Sequence, residues 1–179
     1  MAYLAAAVVV VGVLAVLNLL LSYGVIRRLR EHSALLAQRP AGLPNAIAAA
    51  GSVVAPFTAT TVDGRTVGVD LAPGTLVGFF SPGCSACVEQ LPLFVDAAAA
   101  HPGGPERVLA VVLGAAEGAE KYVDALSPQA TVVVDRHGTE IENAFAVRAY
   151  PGFAMVGDGR VVTVSGRLAE VTAVAKSGV

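Results

Sequence analysis

Cys84 and Cys87 are the only two cysteines in the 179-residue chain, and both lie in the stretch FFSPGCSACVEQLP, Phe79 to Pro92. Thiols at this spacing can form a staple, half of a metal site, or a reaction centre. A disulfide across so short a loop restricts the unfolded chain only modestly, so a structural staple has little purpose. Zinc asks for about four ligands. The pair supplies two, and His32, His101 and His137 are scattered with no second cluster, which leaves only a site shared between two copies. Thiolates also select Cu(I), so a copper-binding assembly factor or metallochaperone stands as an alternative reading. The third reading is redox exchange. A strand, then the turn residues Ser81, Pro82 and Gly83, then a helix opened by Cys84, places that sulfur among unpaired backbone N–H groups. Those donors and the helix dipole favour a thiolate. Cys84 would attack, and Cys87, one turn along, would resolve the mixed disulfide by intramolecular attack.

Positioning such a pair needs a scaffold, and the rest of the chain describes one. TLVGFF (75–80) and RVLAVVLG (107–114) are short apolar runs bounded by turn residues, as is ATVVVD (130–135), and each predicts a buried strand. APFTATTVDGRTVGVDL alternates about Asp63-Gly64, and GFAMVGDGRVVTVSG about Asp158-Gly159; both predict hairpins. Helices are expected from Ser85 to about Ala100, interrupted by Pro92, within AAEGAEKYVDAL, around Glu140 to Ala146, and in the closing RLAEVTAVAKSG. Strands alternating with helices imply an α/β fold, a mixed sheet covered on both faces.

Hydrophobic residues make up 55% of the chain, and the mean hydropathy is +0.66. The excess comes from AYLAAAVVVVGVLAVLNLLL, Ala2 to Leu21, which carries no charge and has Tyr3 and Tyr23 at its ends. A run of about 20 apolar residues matches a bilayer core. No basic segment precedes it and SYGVIRRLREH is a poor cleavage site, so a retained anchor is expected rather than a cleaved signal. The expected organisation is a transmembrane helix at 1–24, a juxtamembrane helix and linker at 25–52, and the main domain at 53–179. Arg27, Arg28 and Arg30 follow the span, and by the positive-inside rule they favour a cytoplasmic domain. The net charge of −2 gives no sign of a nucleic-acid surface.

From Val53 to Ser177 the sequence resembles the thioredoxin-like superfamily, in particular membrane-anchored proteins of the TlpA/ResA type. APFTATTVDGRTV is similar to that family's opening, and Pro92 stands where the family has its helix-kinking proline. VVVDRHGTEIENAFAVRAYPGFAMVGDGRVV is similar to its second half. The resemblance implies that Pro151 is a cis-proline beside the disulfide, helping to hold extended substrate chains, and that Tyr150 occupies the position that tunes reactivity. It implies catalysis by Cys84 and Cys87, supported by Pro82 and Gly83, with no cofactor beyond their redox-active disulfide. Cysteine-containing protein substrates, an unidentified redox partner and an extracytoplasmic domain follow too, the last against the arginine signal. The anchor, RRLREHSALLAQRPAG and SPGCSAC look most like the MauD branch, whose members are thought to assist disulfide formation in a secreted dehydrogenase.

The chain departs from the family pattern at several points. It has no Trp, Gly78 stands where many thioredoxins bury an acid, and Gln90 replaces a usual Glu. Glu89 reads as a solvated helix residue. SPGC also resembles the peroxiredoxin box, which makes a thiol peroxidase a further alternative, although Val77 stands where that box has a proline.

Overall fold

The computed structural model describes residues 46–115 and 117–177, together with Tyr3 and Gly12. The chain divides into two compact units, Met1–Leu43 and Pro44–Val179. The expected membrane span and the basic segment after it lie outside the described residues, apart from Tyr3 and Gly12. Among the described residues, no helix is long and apolar enough to cross a membrane.

The second unit opens with a short hairpin, β1 (Thr58–Thr60) and β2 (Thr66–Gly68). There follow β3 (Thr75–Phe80), α1 (Ser85–Ala99), β4 (Val108–Leu113), α2 (Glu120–Leu126) and β5 (Thr131–Asp135). The chain closes with α3 (Glu140–Ala144), β6 (Gly152–Gly157), β7 (Arg160–Ser165) and α4 (Leu168–Ser177). Five strands form one sheet in the order β5-β4-β3-β6-β7. β4 runs parallel to β3 and β5, while β6 is antiparallel to both β3 and β7. This is the mixed, helix-flanked sheet that the alternating pattern implies.

Every residue of β3 and β4 is buried, as expected for central strands covered on both faces. Because successive side chains alternate across a strand, the two strands feed two separate clusters. Leu76, Phe80, Val108, Ala110 and Val112 meet Phe94, Tyr122 and Val171 from the helices on one face. Val77, Phe79, Leu109, Val111 and Leu113 meet Ile47, Phe57, Ile141 and Phe145 on the other.

Both sheet edges are partly covered, which limits unpaired backbone groups. On β5, Val62 N–H donates to Val132 O at 2.9 Å. On β7, Gly51 N–H reaches Val161 O at 2.7 Å, and Val161 N–H reaches Ser52 O at 2.9 Å. Gly51 and Ser52, expected in the linker, are thus bonded to the sheet, and Ile47 is buried in the core.

Two helices differ from the sequence expectation. Pro92 lies inside α1 without interrupting it; the buried Cys87, Phe94 and Ala98 hold the helix on both sides of the proline. The helix within AAEGAEKYVDAL begins only at Glu120, because Gly118 has φ +86°, a left-handed conformation that the preceding residues cannot carry into a helix.

Candidate active site

α1 begins where β3 ends, at the end of the sheet where Phe79 pairs with Gly152 of β6. That register brings Cys84 and Pro151, distant in sequence, to one place. Gly83 has φ +85° with open space around its missing Cβ, so the backbone conformation, not crowding, calls for glycine at this turn. Pro82 packs toward the loop after β4: a Cβ on Gly114 would lie 3.1 Å from Pro82 Cδ, and one on Gly118 would lie 3.6 Å from Pro82 Cβ.

Cys84 is the N-cap of α1. Its Sγ accepts the backbone N–H of Cys87 at 3.1 Å, the place that Ser, Thr or Asp oxygen commonly fills. Cys84 and Cys87 are joined as a disulfide, with their Cα atoms 5.2 Å apart. Cys87 is fully buried in the core cluster, whereas Cys84 is half-buried at its edge. Cys84 Sγ is therefore the more accessible sulfur of the pair.

The Tyr150–Pro151 peptide bond is cis, and Pro151 is buried. Tyr150 O lies 3.6 Å from Cys84 Sγ. The structure so assembles all six residues singled out in the sequence: the two cysteines, the Pro82-Gly83 turn and the Tyr150-Pro151 loop.

It also adds two that the sequence did not reveal. The Tyr150 hydroxyl donates to Glu142 Oε1, while Gly138 N–H donates to Glu142 Oε2. His137 Nδ1 lies 3.3 Å from Glu142 Oε1 and 3.2 Å from the Tyr150 hydroxyl. Burial pushes the Glu142 carboxyl up, but hydrogen bonds from Tyr150, Gly138 and His137 outweigh it and hold it below the usual range. Burial raises the Tyr150 phenol well above its ordinary value, and the hydrogen bond and negative charge of Glu142 add to this. His137, one of the scattered histidines, lies in the turn between β5 and α3. The three lie within fourteen residues of one another, in the turn before α3, in α3 and in the loop after it, at spacings that match no helix or strand period.

At the position of the missing buried acid, a Cβ on Gly78 would lie 2.5 Å from Phe94 Cε2. The aromatic ring occupies that space. Glu89 is exposed, in keeping with a solvated helix position. Among the described residues, no group of three or more His, Cys, Asp or Glu side chains is arranged to hold a metal ion. His101 accepts the N–H of Gly103 at 3.3 Å within its own loop.

No family model matches this sequence, and no curated protein matches it. Solved structures do. The thioredoxin domain of a thiol-disulfide oxidoreductase from Bacteroides vulgatus is similar with a TM-score of 0.58 and 20% identity, covering 73% of this chain and 97% of that one. A secreted Mycobacterium tuberculosis disulfide oxidoreductase homologous to Escherichia coli DsbE gives 0.51 and 25%, covering 62% and 83%. Mycobacterium tuberculosis DsbF, in mixed oxidised and reduced forms, gives 0.56 and 25%, covering 68% and 93%. The chain thus has the thioredoxin-like fold of thiol–disulfide oxidoreductases, with Cys84 and Cys87 as its C-x-x-C pair, consistent with an oxidoreductase.

Proposed function

We propose that this protein is a membrane-anchored thiol–disulfide oxidoreductase that exchanges disulfides with cysteine-containing protein partners. The observation that carries this reading is the half-buried Cys84 sulfur, capping α1 beside the Tyr150-Pro151 loop, with Cys87 buried behind it.

In the oxidised protein a partner thiolate attacks Cys84 Sγ. The Cys84–Cys87 bond breaks, a mixed disulfide forms on Cys84, and Cys87 leaves as a thiolate that takes up a proton. A second partner thiolate then attacks the partner's own sulfur in the mixed disulfide and releases Cys84. Two electrons have moved from the partner's dithiol to the Cys84–Cys87 pair. Run backwards, the same steps let Cys84 attack a partner disulfide and Cys87 resolve the intermediate. The Cys87 N–H donated to Cys84 Sγ favours negative charge on that sulfur in either direction.

The finer assignments belong to the same proposal. The Ala2 to Leu21 run supports a retained anchor, and the quoted motifs support the TlpA/ResA type and its MauD branch. An extracytoplasmic domain is supported by the secreted M. tuberculosis relative in fold, against the arginines that follow the span. Pro151 and Tyr150 would line the path of the partner chain. The pair itself serves as the redox group.

Expressing Cys87→Ser in the native host tests the reading, because partners then stay on Cys84 as mixed disulfides. Specific secreted proteins should be captured, and reductant should release them. If nothing is captured, and Cys84→Ser leaves the cells unaffected, the oxidoreductase reading fails.

A further inference from the structure

Tyr150 touches the disulfide with its backbone and a carboxylate with its side chain. Its carbonyl oxygen stands 3.6 Å from Cys84 Sγ. Its hydroxyl donates to Glu142, which also accepts the Gly138 N–H and lies against His137. The Glu142 side chain is only 14% exposed, and the bond it accepts from Tyr150 is part-buried and charge-assisted, stronger than a neutral one. Both anchor points lie on the β5–α3 side, in the turn after β5 and in α3. The ring of His137 lies 5.5 Å from that of Tyr150, centroid to centroid. His137 Nε2 also approaches the opposite side of the site, 3.7 Å from where a Cβ on Gly114 would stand, next to Pro82.

We propose that Glu142 is a positioning residue for exchange at Cys84: by holding the Tyr150 phenol it fixes the Tyr150 carbonyl against the reactive sulfur. The inference rests on the exchange reading above and adds a sign to it. A carbonyl held at this place can accept the S–H of a neutral Cys84 thiol, but it turns the negative end of its dipole toward a thiolate. A fixed carbonyl thus opposes the Cys87 N–H, which favours the thiolate, and disfavours the reduced, ionised pair relative to the disulfide. Releasing the phenol lets the carbonyl move away and makes the pair easier to reduce.

The test equilibrates the full chain with glutathione. Near pH 9, above the ordinary thiol value of about 8.5, two glutathione thiols reduce the Cys84–Cys87 disulfide to a Cys84 thiolate and a Cys87 thiol, giving one glutathione disulfide and releasing one proton, so that atoms and electrons balance. For Glu142→Ala and for Tyr150→Phe, the equilibrium should move toward the reduced protein by about threefold, the scale of one ordinary hydrogen bond. Glu142→Gln, which keeps an acceptor oxygen, should recover part of the shift. The double variant Glu142→Ala/Tyr150→Phe should move no further than the larger single, because both changes remove one shared interaction. Glu89→Gln, an exposed charge on α1, controls for net charge and should leave the equilibrium unchanged. Far-ultraviolet circular dichroism and a thermal melt select variants that remain folded, and Glu142→Gln with Tyr150→Phe serve if Glu142→Ala does not. Folded variants that keep the wild-type equilibrium, shift toward the disulfide, or add their effects would overturn the proposal. A wild-type chain inert to glutathione would instead bring down the exchange reading itself.

Discussion

Two positions show how single side chains shape this site. At Gly78, Phe94 occupies the space that a side chain would need. Overpacking a tight core costs about 1–3 kcal/mol, so Gly78→Ala should lower the unfolding free energy by that order in a urea titration. Gly78→Asp, which restores an acid at this point, should cost more because it also buries a carboxylate with no partner. An unchanged urea midpoint in Gly78→Ala would mean that the ring moves aside freely. At Glu142 the issue is charge. Its carboxyl is held below the usual value of 4.5 because hydrogen bonds outweigh burial. A carboxylate depressed on folding contributes stability that is fully present above the unfolded value and lost as pH falls through the folded one. The stability advantage of wild type over Glu142→Gln should therefore hold near neutral pH and shrink on acidification below about pH 4.5. Tyr150 works in the opposite sense. Its phenol is raised, so its contribution is present below the ordinary phenol range near 10 and fades as pH climbs through the folded value. Urea titrations on the acid side measure the first of these, and a pH-independent difference between wild type and Glu142→Gln would contradict it. The cysteines could be read from their own spacing, and the Tyr150-Pro151 step only through the resemblance of the long stretch around it to a known family. Glu142 could not, since its meaning comes from a tyrosine brought to it by the turn of the chain after α3.

Among the elements, α1 carries the most consequence, for it holds both sulfurs. It is attached through Cys87, Phe94 and Ala98, its buried residues. Phe94 packs edge-on to Phe80 of β3 at 5.2 Å between centroids and stacks with Phe153 of β6 at 5.7 Å. The same ring fills the Gly78 gap and bridges the two strands that bring Cys84 and Pro151 together. Removing it should cost about 3–5 kcal/mol, the usual range for Phe→Ala in a core. Phe94→Ala should lower the melting temperature sharply, and Phe94→Leu should lower it less. If α1 were held mainly by its own hydrogen bonds, the two variants would melt close to wild type. The strands β3, β4 and β5 were legible because each is an apolar run closed by turn residues, a signal that needs no tertiary information. The two hairpins were legible from Asp-Gly pairs; at the second, Asp158 and Gly159 have φ of +50° and +69°, as such a tight turn requires. Helix ends were less so. Pro92 suggested a break because a proline costs a helix its hydrogen bond, yet the packing on both sides of it carries α1 through. That packing is a property of the assembled sheet and has no local trace.

At the scale of the molecule, the question is where the folded unit begins. Sequence punctuation by Pro40, Gly42 and Pro44 puts a linker before residue 53, but the compact unit starts at Pro44. Ala48 N–H donates to Phe145 O at 2.7 Å, and Arg148 N–H donates to Ala46 O at 2.8 Å. Ile47 is 1% exposed. A Cβ on Gly152 would lie 2.8 Å from Ile47 Cγ1, so the isoleucine sits against the residue that follows Pro151. The approach to the domain thus braces the loop that faces the disulfide, and its small residues gave no sign of it because NAIAAAGS has neither helix nor strand periodicity. Burying one isoleucine contributes on the scale of 2–5 kcal/mol when judged by truncation to alanine. A domain stability of about 5–15 kcal/mol leaves little reserve beyond such a loss. Ile47→Ala should therefore melt well below wild type, and a chain begun at residue 53 should lose at least as much, because it also gives up three hydrogen bonds to β7, two of them backbone bonds. The effect should reach the site as well: with the brace gone, Cys84 in the shortened, reduced chain should react with iodoacetamide at a rate different from the chain begun at Pro44. Equal melting temperatures and equal alkylation rates for the two would show that residues 46–52 act as a tether and contribute nothing to the fold or to the loop at Pro151.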